Sequence, residues 1–249
     1  MPQRLDLLLV ARRLFASREK ARRAIMAGEV WVAGQRIDKA GAPVDPGAEL
    51  EVRTRSRFVS RAGEKLEAAL AHFGIDVAGW TCLDVGASTG GFTDCLLQRG
   101  ARRIYAVDVG YGQLDWRLRQ DPRVVVMERL NARHLAPDAL PEPCDLAVVD
   151  VSFISLVKVV PALLPHVREG GFLLPLVKPQ FEAGRGAVGK GGVLRDEGLR
   201  RRVIAERVGD LEALGLACRG VIDSPLPGAE GNVEALALFQ KGVAGRTGG

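Results

Sequence analysis

The sequence predicts an α/β protein in which a small α+β unit precedes a doubly wound sheet. From Thr81 onward, short apolar runs alternate with helix-like segments, a pattern typical of a parallel sheet with helices on both faces. A glycine-rich loop separates the first run from the helix after it, as in sheets that bind ligands at the carboxyl ends of their strands. Strands are predicted near residues 81–85, 103–107, 123–127, 145–150, 171–177, 216–222 and 234–239. Helices are predicted near residues 92–99, 112–119, 155–168 and 196–213.

The first quarter of the chain predicts a separate basic unit, residues 1–53. A leucine stripe predicts one helix over 5–14, and Ser17 is an N-cap candidate for a second helix, Arg18–Ala27. The first 60 residues contain 12 Lys and Arg against 7 Asp and Glu, whereas the whole chain contains 35 against 30. All of the excess positive charge therefore lies in the first quarter. This predicts a polyanion-binding module, although a solvated basic face would give the same balance.

The stretch Asp84–Phe92 carries the most informative motif. Gly86, Ser88 and Gly91 overlay the dinucleotide fingerprint G-x-G-x-x-G, but serine replaces the glycine that lets the backbone approach a pyrophosphate. No Gly-Lys-Ser/Thr ends the loop, which excludes a P-loop. The carboxylate of Asp84 would repel phosphate and suits a ligand that carries an ammonium group.

A second acid completes the predicted ligand site. The apolar run Ile104–Val107 ends in Asp108, and an acid at this place accepts hydrogen bonds from ribose hydroxyls. A nucleoside with a cationic amino-acid arm and no phosphates fits both Asp84 and Asp108, and S-adenosylmethionine is the common example. The alternatives are a nicotinamide or flavin site, or a glycine turn without a ligand.

Three further charged residues, Asp150, Lys178 and Glu234, end or flank predicted strands. Ligands of a doubly wound sheet lie outside the carboxyl ends of its strands, although each charge alone is equally consistent with a capping or surface role. A methyl donor beside a lysine and two acids suggests transfer to a weakly acidic ribose hydroxyl. A desolvated lysine can act as the base or stabilise the oxyanion, and carboxylates can orient it. This chemistry requires alignment of two bound partners and no metal.

Three segments of the N-terminal unit follow one another in a specific order and spacing: Arg4–Asp6, Ser17–Arg22 and Gly28–Gly34. They resemble the S4 RNA-binding domain. The resemblance implies docking on structured RNA through the basic second helix, with cations that hold phosphates and read shape more than sequence. The residues predicted to contact RNA are Arg4, Arg18, Lys20, Arg22 and Arg23.

Six different motifs are spread over most of the remaining chain. They lie at residues 58–66, 84–94, 150–155, 177–182, 224–225 and 231–234. Residues 58–240 resemble the FtsJ-type ribose 2′-O-methyltransferases. With the S4-like unit, the whole chain resembles the TlyA/hemolysin A family of ribosomal RNA methyltransferases. The resemblance implies a seven-stranded, Rossmann-like class I methyltransferase sheet and S-adenosylmethionine as cofactor. It also implies ribosomal RNA or ribosomal subunits as partner, with a cytidine ribose of the small subunit, the large subunit or both as acceptor.

The resemblance assigns roles to individual residues. The catalytic set that it implies comprises Lys65, Asp150, Lys178 and Glu234. Lys178 would be the base or oxyanion partner, the two acids would orient the lysines, and Lys65 would help to position the hydroxyl. The implied cofactor site comprises Asp84, Gly86, Ala87, Ser88, Thr89, Gly90, Gly91 and Phe92, with Asp108 at the ribose and Asn131 near the adenine.

The sequence also predicts the domain boundaries, the location of the protein in the cell and the lack of a metal site. A basic linker is predicted at 54–60, the methyltransferase domain at 61–242 and a disordered tail at 243–249. The lack of a signal peptide and of a membrane-length apolar run predicts a cytoplasmic protein. Scattered cysteines and only three histidines predict no metal site. Two alternative functions stay open: a membrane-active haemolysin, suggested by the family's second name, and an RNA-binding protein with an inactive enzyme domain.

Overall fold

The computed structural model describes residues 2–26, 28–52, 57–184, 188–189, 192–228 and 231–242. The chain divides into two compact units, Met1–Arg57 and Phe58–Gly249. The boundary between them falls within the predicted linker 54–60, of which residues 54–56 lie outside the described residues. The predicted tail, 243–249, also lies outside them.

The N-terminal unit packs two helices against short antiparallel strands. Its elements are β1 (Gln3–Arg4), α1 (Leu5–Ala11), α2 (Arg18–Met26), β2 (Val30–Val32), β3 (Gln35–Arg36), β4 (Pro43–Val44) and β5 (Leu50–Val52). Strand β2 lies between β3 and β5, and β1 pairs with β4. The apolar faces of α1 and α2 form the core, while the Ser17 hydroxyl accepts a hydrogen bond from the Lys20 amide at 3.3 Å. Helical spacing of the apolar residues therefore decides which side of each helix faces inward.

One buried carboxylate orients two arginines of this unit. The side chain of Asp6 is fully buried, and the Arg4 guanidinium donates to both of its oxygens at 3.0 Å. The Nε of Arg18 donates to Oδ2 of Asp6 at 2.8 Å. The hydrogen bond from Arg4, aided by Arg18, holds the pKa of the Asp6 carboxyl well below its usual range. Both guanidinium groups stay about half exposed, so a ligand could still reach them.

Replacing Asp6 by asparagine should loosen α1 and α2. Because the folded-state pKa of Asp6 is depressed, its contribution to stability is complete above the unfolded value of about 4 and is lost as the pH falls below it. We expect Asp6→Asn to lower the opening free energy of both helices by about 1–2 kcal/mol at pH 7. Amide hydrogen exchange measures this difference, which should shrink near pH 3. Equal protection in Asp6→Asn and in the control Asp38→Asn, at an exposed aspartate, would contradict this role.

The second unit is built on a seven-stranded sheet, which confirms the predicted fold class. Its strands are β6 (Thr81–Val85), β7 (Arg103–Val107), β8 (Val124–Met127), β9 (Cys144–Val149), β10 (Val167–Val177), β11 (Leu216–Asp223) and β12 (Ala235–Lys241). Their order is β11-β12-β10-β9-β6-β7-β8. Neighbours from β10 to β8 are parallel, whereas β12 is antiparallel to both β10 and β11. The antiparallel strand departs from the expected parallel sheet, because β12 follows β11 without the crossover helix that parallel neighbours need.

Helices cover both faces of this sheet. They are α3 (Ala62–His72), α4 (Gly91–Gln98), α5 (Trp116–Gln120), α6 (Val160–Leu163), α7 (Pro179–Glu182) and α8 (Glu197–Glu212). One core cluster joins the sheet to Leu70 of α3, Leu96 of α4 and Leu118 of α5. The other joins it to Leu163 of α6 and Leu211 of α8. The strand residues alternate between the two clusters, as the two-residue period of a strand requires.

Three helices are shorter than predicted. In the N-terminal unit α1 ends at Ala11 rather than at residue 14, because the chain turns at Arg13, which has a left-handed φ of +59°. The helix expected over 112–119 begins only at Trp116, because the preceding loop is held by backbone N–H groups that donate to side-chain carboxylates. Within the predicted helix 155–168, only four residues are α-helical and short 3-10 turns flank them. Pro161 and Pro165 lie in this stretch, and proline cannot donate the hydrogen bonds of a continuous helix.

The described residues include neither a membrane-spanning helix nor a cluster of metal-ligating side chains. None of the helices there combines the length and the apolar character needed to cross a bilayer. No group of three or more His, Cys, Asp or Glu side chains in the same ranges is arranged to hold a metal ion.

Candidate active site

The register of the sheet brings the carboxyl ends of its parallel strands to one edge. Val85, the last residue of β6, pairs with Val107 of β7 and with Val149 of β9. The loops that follow these three residues therefore leave the sheet side by side. They carry the glycine loop and both Asp108 and Asp150, as expected for a ligand site at a strand-end crevice.

The antiparallel strand adds a further residue to the same edge. Val177, the last residue of β10, pairs with Ala235, the first residue of β12. Lys178 and Glu234 occupy the next positions outward on the two strands, so the pairing brings them to the same end of the sheet. An acid that begins an antiparallel strand thus lies near a lysine that ends a parallel one.

Lys178 forms an ion pair with Asp150. Its Nζ lies 2.6 Å from Oδ1 of Asp150 and donates a hydrogen bond to the Ser152 hydroxyl at 3.0 Å. The side chains of Lys178 and Asp150 are only 12% and 19% exposed. The lysine is thus held between two acceptors at the edge of the sheet, largely removed from solvent.

Lys65 forms a second, more deeply buried pair with Glu234. Its Nζ donates to Oε2 of Glu234 at 2.6 Å, and the side chains are 10% and 3% exposed. The other carboxylate oxygen, Oε1, accepts a hydrogen bond from Nε2 of Gln180 at 3.2 Å. The four residues of the predicted catalytic set therefore form two lysine–carboxylate pairs, while their catalytic roles remain predictions.

The glycine loop favours glycine at two positions. Gly86 has a φ of +82°, and a Cβ there would lie 2.2 Å from the backbone oxygen of Asp150. A Cβ on Gly91 would lie 2.2 Å from the hydroxyl oxygen of Ser60 and 2.9 Å from the Cβ of Ala62. A Cβ at either position would displace its neighbours, so the close approach of neighbouring loops favours glycine at both. Ser88, which replaces the middle glycine of the fingerprint, itself adopts a left-handed φ of +49°.

Asp108 connects the two loops that frame the predicted cofactor site. Its carboxylate accepts hydrogen bonds from the backbone amides of Ser88 at 2.8 Å and Gly110 at 2.6 Å. Asn131 caps the following 3-10 turn by accepting a hydrogen bond from the Arg133 amide at 3.1 Å. These bonds hold both side chains at the edge of one cavity.

This cavity has a volume of about 540 Å³, within the range of small-molecule sites. Gly86, Ser88, Asp108, Asn131 and Asp150 line it together with apolar side chains of the adjoining loops. A smaller cavity of about 110 Å³ shares Gly86, Ser88 and Asp150 with it. The rest of its lining is Ser60, Ala62, Ala87, Thr89, Gly91 and Phe92. Most of the predicted cofactor residues therefore border two adjoining cavities.

Asp84 and Gly90 line neither cavity. The carboxylate of Asp84 is fully buried and accepts a hydrogen bond from the Thr93 hydroxyl at 2.6 Å. Burial raises the pKa of Asp84 to about 7, the nearby Asp150 and Asp108 add to the shift, and Thr93 opposes it. In this structure the carboxylate thus joins β6 to α4, rather than facing the cavity as an ammonium contact requires.

Sequence reasoning gave no role to Ser152, Gln180 and Phe153. Ser152 and Gln180 each follow a predicted catalytic residue by two positions, and both contact that set. Phe153 is 89% exposed with a left-handed φ of +62°, and its ring centroid lies 4.7 Å from that of Phe181. All of these lie in motifs quoted for the family resemblance, but only the folded geometry distinguishes them from their neighbours.

The fold and the family match define an α/β methyltransferase, with a cavity of about 540 Å³ at the strand-end crevice. The chain belongs to the FtsJ-like methyltransferase family, whose model matches residues 58–241, and it also carries an S4 domain, matched at residues 3–50. The predicted resemblances to the S4 domain and to the FtsJ-type methyltransferases are thereby confirmed.

Similar proteins match nearly the full chain. The 16S/23S rRNA (cytidine-2′-O)-methyltransferase TlyA of Mycobacterium tuberculosis is 51% identical over 233 residues, which cover 93% of this chain and 87% of that protein. Hemolysin A of Brachyspira hyodysenteriae is 43% identical over 224 residues, covering 90% and 93%. A solved structure from Streptococcus thermophilus, described as a hemolysin, aligns with a TM-score of 0.76 at 44% identity, covering 97% and 90%.

The buried Asp84 predicts an unusual pH dependence of stability. The folded protein retains a proton on Asp84 that the unfolded chain releases above about pH 4, so stability falls as the pH rises from about 4 to 7 and then levels off. Asp84→Asn removes this penalty and keeps an acceptor for Thr93. We expect its gain in melting temperature over the native protein to grow between pH 5 and 7. A gain that does not vary with pH, as expected for Asp138→Asn at an exposed aspartate, would refute this.

Proposed function

We propose that this protein transfers a methyl group from S-adenosylmethionine to the 2′-hydroxyl of a cytidine ribose in 16S ribosomal RNA, 23S ribosomal RNA or both, in the cytoplasm. The observation that carries the proposal is the Lys178–Asp150 pair, because its acid lines the predicted cofactor cavity while its lysine is held 2.6 Å away. The M. tuberculosis relative, at 51% identity, bears a name that states this reaction.

The cavity lined by Asp108 and Asn131 suits the nucleoside part of the proposed cofactor. Asp108 supplies a carboxylate for ribose hydroxyls, and Asn131 supplies an amide beside the apolar lining formed by Val109, Leu130 and Ala132. Its volume of about 540 Å³ suits a ligand of this size. S-adenosylmethionine, when bound, supplies an electrophilic methyl group. Asp84 would act on the ligand indirectly, through the loop that it anchors.

The two ion pairs suit activation of a ribose hydroxyl. As an ammonium group Lys178 would stabilise the developing oxyanion, and after releasing its own proton it would accept that of the hydroxyl, while Asp150 and Ser152 hold its Nζ in place. Lys65, held by Glu234, would help to position the same hydroxyl. The oxygen would then form its bond to the methyl carbon as the bond from carbon to sulfur breaks. Because a ribose hydroxyl is a weak acid, alignment of the two partners would supply much of the rate.

An adjoining open cavity of about 610 Å³ suits a nucleotide of the RNA. It shares Arg133, Phe153 and Ile154 with the cofactor cavity and is also lined by Lys158 and Phe181. Exposed aromatic rings can stack on an unpaired base, and cations can hold its phosphates. The left-handed φ of an exposed phenylalanine is a conformation kept only where surrounding contacts enforce it, which is frequent at functional sites.

Loss of Lys178 tests the chemistry directly. The assay measures tritiated methyl transfer to isolated 30S and 50S subunits, followed by mapping of the modified nucleotide. Lys178→Ala should reduce turnover at least 100-fold, since a general base contributes roughly 10²–10⁴-fold, while S-adenosylmethionine affinity stays within twofold. Lys39→Ala, at an exposed lysine of the N-terminal unit, should transfer normally at saturating RNA. Retained turnover in Lys178→Ala would remove this residue from the mechanism, and a native enzyme that labels no ribose would sink the proposed function.

The N-terminal unit would dock RNA through α2. Arg18, Lys20, Arg22 and Arg23 are exposed on this helix, whereas its apolar side is buried. Lys20→Gln with Arg22→Gln leaves the Asp6 pairs intact and removes two positive charges. We expect weaker binding to ribosomal subunits, and a slope of log affinity against log salt that is smaller by roughly 1–2.

Filter binding between 50 and 300 mM salt measures that slope. The charge-matched control is Arg201→Gln with Arg202→Gln on exposed positions of α8. An unchanged slope in the α2 variant would place the docking surface elsewhere.

A further inference from the structure

The short helix α7 connects several parts of the candidate active site. Lys178, which precedes it, contacts Asp150, and Glu182 at its end accepts hydrogen bonds from the Ser155 hydroxyl at 2.6 Å and the Leu156 amide at 2.9 Å. Gln180, between them, contacts Glu234. The segment from Lys178 to Glu182 therefore takes part in both lysine–carboxylate pairs. Lys178 is a member of one pair, and Gln180 contacts Glu234 of the other.

The carboxylate of Glu234 is contacted from three parts of the chain. Lys65 donates to one oxygen and Gln180 to the other. A Cβ on Gly228 would lie 2.2 Å from Oε1, so the backbone of that loop also closes on the carboxylate. At 3% exposure the side chain has little access to water, and its charge must be satisfied by these donors.

The amide of Gln180 has only one favourable orientation. Its Nε2 faces Glu234, and turning the group over would direct its Oε1 at a carboxylate oxygen instead. That Oε1 is buried and has no hydrogen-bond partner within the described ranges. Leaving a buried acceptor unpaired costs free energy. The amide therefore gains a hydrogen bond to Glu234 through Nε2 while its own Oε1 is left unpaired. An unpaired buried acceptor calls for an explanation, and a role in the site is one that the contact with Glu234 supplies.

We propose that Gln180 is a positioning residue for methyl transfer. It holds the Glu234 carboxylate so that this group keeps Lys65 directed at the ribose hydroxyl. The proposal rests on the proposed function for the role of Lys65, but the contact itself is independent of the substrate. A neutral donor is required at this position. A second carboxylate would repel Glu234, and an aliphatic side chain would leave Oε1 of Glu234 without this hydrogen bond.

A change of Gln180 to glutamate gives a signature that lost packing cannot give. At low pH the introduced carboxyl group is protonated and can donate to Glu234 as the amide does. At high pH it ionises and repels the neighbouring carboxylate. We expect the native-to-variant ratio of kcat to rise at least tenfold between pH 6 and pH 9. Gln180→Leu should lose at least tenfold in kcat at every pH, with S-adenosylmethionine affinity within twofold.

The matched control is Gln98→Glu. Nε2 of Gln98 also donates to a carboxylate, that of Asp94 at 2.9 Å, but on the exposed end of α4. Its kcat should follow the native pH profile. A ratio for Gln180→Glu that is the same at every pH would overturn the proposal, because it would indicate a structural role alone.

A second measurement needs no RNA. Acetic anhydride labelling followed by peptide mass spectrometry reports the exposure of the Lys65 amine. Labelling should be at least fivefold faster in Gln180→Leu than in the native protein, and unchanged in Gln98→Glu. Unchanged labelling in Gln180→Leu would overturn the positioning role even if the native enzyme labels no ribosomal RNA. An inactive native enzyme with faster labelling in the variant would instead refute the proposed function alone.

Discussion

The pairing of β12 with β10 is the constraint on which the candidate site depends. It brings the end of a parallel strand and the start of an antiparallel one to the same edge, so that Lys178 and Glu234 meet loops from β6, β7 and β9 there. A sheet of parallel strands alone would place the start of its last strand at the opposite edge. The single reversed strand therefore allows an acid near the end of the chain to reach Lys65 of the first helix in this unit.

Charge is arranged differently in the two units. In the methyltransferase domain, the two lysines of the site are paired with carboxylates and largely removed from water, which keeps them oriented and makes any unpaired partner costly. In the N-terminal unit, the buried Asp6 instead orients arginines that stay half exposed. The first arrangement suits chemistry on one bound atom, and the second suits contacts with phosphates on a large ligand.

Much of the fold could be predicted from local pattern. Each of the seven strands lies where an apolar run predicted it, and α2 begins after its predicted N-cap. The predictions of helix length and strand direction fail where contacts between distant segments override the local sequence pattern. Proline and loop hydrogen bonds shorten two helices, and the reversed direction of β12 leaves no trace in the hydropathy of its residues.

The sequence by itself determined the α/β class, the glycine loop and the charged strand ends, because spacing, glycine content and burial periodicity are local properties of a chain. The tertiary structure alone decided how those charges are used. It buried Asp84 against Thr93, and it joined Lys65 to an acid 169 residues away. It also placed the amide of Gln180 on that same acid. Such partners depend on register and loop closure between distant segments, which no local pattern specifies.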